Sequence, residues 1–61
     1  MHKGAVVTGE ITRHVPFGAL VSVGGVPGLL VGDVTAEVGE SVRVRVVEFD
    51  AVRDRVRVET V

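Results

Sequence analysis

The chain has no cysteine, tryptophan, tyrosine, asparagine or glutamine among its 61 residues, and each absence closes a chemical route. Without cysteine there are no disulfides, no thiolate nucleophile and no cysteine-ligated zinc or iron–sulfur centre, so the fold must hold by packing alone. Without side-chain amides, much of the repertoire for reading base edges is missing, which argues against sequence-specific nucleic-acid recognition. No apolar run approaches the roughly 18 residues of a membrane span, and the N-terminus lacks a signal-peptide pattern. No membrane partner is expected, and the chain reads as cytoplasmic. An excess of charge of either sign is also lacking. Seven Lys and Arg stand against eight Asp and Glu, a formal net charge of -1, so any nucleic-acid site must be local rather than a product of bulk charge.

What is present points to β structure. Seventeen residues are valine, a β-branched side chain that favours the pleated strand and here supplies the expected core. No stretch keeps apolar residues at helical spacing without glycine or β-branched interruptions, so no helix of normal length is expected. A chain of this length is one domain, residues 1–61, and buries only about 60% of its unfolded surface, which leaves a small stability margin.

Glycine and proline divide the chain into five strand-like runs. The first, Gly4 to Arg13, puts Val7, Gly9 and Ile11 on one face, with Gly9 placed for a bend or bulge. The second, Phe17 to Val23, opposes Ala19, Val21 and Val23 to Leu20 and Ser22; strict alternation also assigns Phe17 to the core unless Gly18 bulges. Residues Gly24 to Gly28 read as a hairpin turn, and the third run, Gly28 to Val31, is apolar throughout. Only the ten residues Gly32 to Ser41 separate it from the fourth run, with no room for a helix. The last two runs make a hairpin in which Val42, Val44, Val46, Val56 and Val58 face inward. Pairing Phe49 with Arg55 sets Arg45 against Glu59, a favourable register. Arg43, Arg45 and Arg57, interleaved with Glu48 and Glu59, then form a neutral ion-paired face. Five short strands in so small a chain are best satisfied by a closed barrel, which removes exposed edges.

The residues in order also resemble a known family. Gly4-Ala5-Val6-Val7-Thr8-Gly9-Glu10-Ile11, Phe17-Gly18-Ala19-Leu20-Val21, Gly25-Val26-Pro27-Gly28-Leu29-Leu30, Val38-Gly39-Glu40-Ser41-Val42 and Val46-Val47-Glu48-Phe49-Asp50 resemble the S1 domain. That RNA-binding module has the pattern G-x-V-x-x-G-x-V, F-G-A-F-V, G-x-x-G-L-V-H, V-G-D-x-V, V-x-x-I-D, R-I-S-L-S. The resemblance covers nearly the whole chain and rests on motif order rather than on any one motif. It implies an all-β, five-stranded Greek-key OB-fold barrel, shortened between strands three and four. It also implies weak, sequence-tolerant binding of single-stranded RNA through strands two and three and the loops joining strands one to two and four to five.

Carried over residue by residue, the implied RNA-binding positions are Arg13, His14, Phe17, Leu20, Val31, Asp50, Arg53 and Arg55. Phe17 retains the first stacking aromatic, Asp50 the acidic residue closing strand four and Arg55 the basic residue opening strand five. Leu20 stands where the family has a second aromatic and Val31 where it has histidine. Losing two stacking platforms weakens binding by roughly 2–6 kcal/mol at about 1–3 kcal/mol per base, offset in part by His14 as a stacking ring and by Arg13 and Arg53 at phosphates. If Leu20 and Val31 lie exposed on the ligand face, they offer an apolar patch to a protein partner or a second copy; if the shortened connection closes over them, they are core. The alternative function is therefore an S1-like interaction module without RNA binding. No catalytic motif, cofactor signature or metal-ligand spacing is present: two histidines without cysteine make no zinc site, Ser22 and Ser41 have no adjacent base, and the glycine-rich Gly24–Gly28 stretch lacks the Lys-Ser/Thr of a phosphate loop. The chain is not expected to be an enzyme.

Overall fold

A computed structural model describes residues 2–61. It is all-β among these residues, with β1 (Val6–Val15), β2 (Gly18–Val23), β3 (Val26–Val31), β4 (Ser41–Asp50) and β5 (Arg55–Thr60). The strands close into a barrel in the order β1-β2-β3-β5-β4, β4 returning to β1. Only the β3–β5 pair is parallel; the other four pairs are antiparallel. The closed barrel is the one expected from valine-rich alternation in a chain too short to protect open sheet edges, and its five strands are consistent with the OB-fold that the family resemblance implies.

Alternation decides the inside. Ile11, Ala19, Val21, Val23, Leu30, Val44, Val46, Val56 and Val58 form the buried core, each one position away from an outward residue. The expectation that the valines as a group make the core is corrected. Six are buried, whereas Val6, Val31, Val38, Val52 and Val61 are exposed, because alternation and loop placement override side-chain type.

Strand ends and bulges differ from the sequence reading in four places. The β2–β3 turn is only Gly24-Gly25, with φ of 57° and 84° and Val23 paired to Val26, the two-residue hairpin turn that needs left-handed backbone at both positions. Pro27 is therefore in β3, not in the turn. It lies before the β5 pairing begins at Gly28, where the open side of the strand tolerates its missing N–H. Gly9 pairs regularly with Val42, so it is not the bulge of β1. That bulge falls at Thr12, whose hydroxyl donates to the Leu20 carbonyl at 3.0 Å. The β4–β5 register holds at Arg45 opposite Glu59, then slips by one: Phe49 faces Val56 rather than Arg55, which pairs with Asp50. The cause is a bulge at Val47, where the Val46-Val47 doublet interrupts alternation.

The shortened connection contains no helix. Its backbone is tied to β1, Gly39 N–H donating to the Ile11 carbonyl at 2.8 Å and Ile11 N–H to the Glu40 carbonyl at 2.9 Å, while Val34 and Ala36 pack against the core. The outer face is ion-paired as its charge pattern suggests: Arg57 meets Glu48 at 2.8 Å and Arg45 meets Glu59 at 3.9 Å. Such exposed pairs contribute at most about 1 kcal/mol each. Arg43 has no ion-pair partner among the described residues.

Candidate nucleic-acid interface

Outward residues of neighbouring strands fall into register across the barrel wall. Arg13 lies opposite Leu20, Leu20 opposite Leu29, Leu29 opposite Arg57 and Arg57 opposite Glu48, so one stripe crosses all five strands. Along it opens a groove of about 580 Å³, with an apolar floor of Leu20, Pro27, Gly28, Leu29 and Val56. Phe17 stands at one side, and Glu48, Asp50, Arg55 and Arg57 line the other. An aromatic ring beside an apolar floor and a charged rim suits a planar ligand carrying an anionic group.

Phe17 escapes the core because it is not in a strand. Pro16 and Phe17 form the β1–β2 turn and β2 starts at Gly18, so alternation does not govern the direction of Phe17, and the residue is 58% exposed. The reading that put Phe17 with Ala19 and Val21 is corrected on that ground. Gly18 and Ala19 are both buried in succession, which is how the chain turns inward after Phe17.

Of the positions implied by the family resemblance, the fold brings Phe17, Leu20, Asp50 and Arg55 together in the groove. The strand expected to end at Arg13 continues past the Thr12 bulge to Val15, so His14 as well as Arg13 lies in the last part of β1. Arg13 continues the stripe beyond Leu20, and His14 is exposed opposite Ala19. Arg53 lies in the 51–54 turn with its side chain 76% exposed and its Nε 3.8 Å from Asp50 Oδ2. Val31 is 48% exposed at the end of β3, opposite Gly18, and does not line the groove. Leu20 is 38% exposed. The shortened connection therefore does not close over Leu20 and Val31, and the second of the two expectations for them is the one that fails.

Asp50 has a structural task that its acidic character alone did not disclose. Its Oδ1 accepts from the Val52 and Arg53 backbone N–H groups at 3.1 and 3.2 Å, shaping the turn in which Asp54 takes a φ of 53°. An aspartate that bonds the backbone two and three residues on holds such a turn in one conformation. Leu29, Glu48 and Arg57 were not singled out for the site by sequence. Alternation cannot orient β3, an apolar run, and Glu48 faces outward only because of the Val47 bulge; the valine doublet was the available signal.

No family model and no curated protein matches the sequence. Solved structures are similar. An uncharacterised protein of Methanocaldococcus jannaschii shares the fold at a TM-score of 0.86 and 19% identity, covering 100% of this chain and 93% of that one. GSP13 of Bacillus subtilis matches at 0.84 and 25% identity over 97% of this chain and 55% of its own. A chain of the a/eIF2alpha–aDim2p–rRNA complex of Pyrococcus horikoshii OT3 matches at 0.81 and 14% identity, over 95% of this chain and 43% of its own. The chain thus spans about half the length of GSP13 and less than half of the third match.

Proposed function

We propose that the protein is an S1-like RNA-binding module that takes single-stranded RNA weakly and with little sequence preference in the Phe17–Arg55 groove. The observation that carries the proposal is the exposed Phe17 ring beside an apolar floor, with Arg55 free of any ion pair among the described residues. A base stacks on Phe17 over Leu20 and Leu29, and its phosphate meets Arg55; Arg13 and His14 flank one end and Arg53 the other. Stacking needs only a π-face, which every base has, and the lack of side-chain amides keeps recognition general. A structural neighbour crystallised with rRNA adds support for RNA as the class of ligand.

Phe17→Ala is expected to weaken binding of a labelled oligouridylate by about 1–3 kcal/mol, roughly five- to 150-fold, without unfolding the exposed site. Fluorescence anisotropy measures the loss and circular dichroism checks the fold. Wild-type protein that fails to bind at millimolar concentration in low salt would sink the proposal. The competing reading, association through Leu20 and Val31, has their exposure in its favour; a monomer by sedimentation at the same concentration counts against self-association.

A further inference from the structure

We infer that Glu48 sets the groove's affinity for a nucleic-acid strand by keeping Arg57 occupied, so that a phosphate must compete with an internal carboxylate for the second cation of the site. The inference rests on the RNA reading above and adds to it a residue that restrains binding rather than promoting it.

The charges of the groove balance. Arg55 and Arg57 line it together with Glu48 and Asp50, two cations against two anions. Their engagement is unequal. Arg57 Nη2 donates to Glu48 Oε2 at 2.8 Å, a charge-assisted bond of ordinary length. Asp50 is turned to the 51–54 segment, where it accepts two backbone N–H bonds and faces Arg53. Arg55, although opposite Asp50 in register, forms no ion pair among the described residues. Arg55 is thus ready for a phosphate and Arg57 is not.

The Arg57–Glu48 pair lies within a strand's reach, its side chains 54% and 67% exposed. It is held there by two features of the fold. The Val47 bulge turns Glu48 outward and sets it opposite Arg57, and the parallel pairing of Leu29 with Arg57 places the guanidinium beside the apolar floor. Removing the carboxylate's charge leaves Arg57 in the groove with no anionic partner, and the groove gains a net positive charge.

Glu48→Gln tests this, with Glu59→Gln as its control. Both substitutions remove one negative charge from a β4–β5 cross-strand pair and change the net charge equally, but Glu59 holds Arg45 outside the groove. Each added phosphate contact steepens the salt dependence of single-strand binding by about 0.7 in log–log slope, which amounts to roughly fivefold tighter binding at about 0.1 M salt. Glu48→Gln should therefore bind a labelled oligouridylate roughly fivefold tighter, with the steeper slope, and the Glu48→Gln/Arg57→Gln double variant should lose that gain. Equal tightening by Glu59→Gln, a gain that persists in the double variant, or an unchanged slope in Glu48→Gln would each overturn the inference while leaving RNA binding intact. Absence of binding by both wild type and Glu48→Gln in low salt would overturn the RNA reading and the inference with it.

Discussion

Gly18→Ala is expected to leave the protein largely unfolded at room temperature. Gly18 is buried between two strands, paired with Val15 on β1 and with Val31 on β3. A Cβ at this position would overlap the Leu30 carbonyl oxygen and fall 2.9 Å from its carbonyl carbon and 3.1 Å from the Val31 Cα. All three are backbone atoms of a hydrogen-bonded strand, so no side-chain rotation relieves the collision. Extra methylene groups in a packed core cost about 1–3 kcal/mol when side chains can give way, and occasionally more; here β2 and β3 must separate. Net stability of a 61-residue domain is only about 3–9 kcal/mol. Loss of dispersion in the amide NMR spectrum and of the cooperative thermal transition is the expected result. A wild-type melting curve would show that the β2–β3 seam is looser than its geometry implies.

Leu30→Ala ranks next. Leu30 is fully buried, and its cross-strand neighbours are Ala19 on β2 and Val58 on β5. It is the only fully buried leucine in a core otherwise made of valine, isoleucine and alanine among the described residues. Ala19 beside it is too small to fill the space left by truncation, and the closed ladders on both sides of β3 prevent collapse. Leucine-to-alanine truncations of this kind cost about 2–5 kcal/mol, which here is a large part of the total. Denaturant unfolding should show a midpoint displaced to lower concentration with an unchanged slope, because the surface exposed on unfolding hardly differs. A loss below about 1 kcal/mol would mean that the core relaxes around the site.

The β4–β5 hairpin shows how far pattern reasoning reaches and where it stops. Alternation of valine with charge oriented both strands correctly, and charge pairing selected the register at Arg45 and Glu59. Two residues further on, the Val47 bulge displaced that register, and the sequence-based pairing of Phe49 with Arg55 gave way to Asp50 with Arg55. Alternation is a local rule with period two, and a single inserted residue shifts everything beyond it. The same limit applies in β1, which continues past the Thr12 bulge and the expected end at Arg13 to take in His14 and Val15.

The candidate site was legible in part. Motif order points to Phe17, Leu20, Asp50 and Arg55, and the fold gathers them around one groove. Motif order does not reach Leu29, Glu48 and Arg57, because each comes to the groove through its pairing across strands: Leu29 with Leu20, Arg57 with Leu29 and Glu48 with Arg57. Val31, named with the others, lies outside it, since the wall of the groove continues from β3 to β5 and not along β3 to its end.

Composition and alternation by themselves determined the all-β class, the five strands, the absence of a helix between the third and fourth, and most of the residues that face inward. These follow from χ1 stiffness, turn chemistry and period two, which act within a few residues. Tertiary structure alone decided which outward residues share a face and that of the two groove arginines Arg57 is engaged and Arg55 is not. Those outcomes depend on strand order, on the parallel β3–β5 pairing and on two bulges. Each is fixed by closing the barrel around its core rather than by neighbours along the chain.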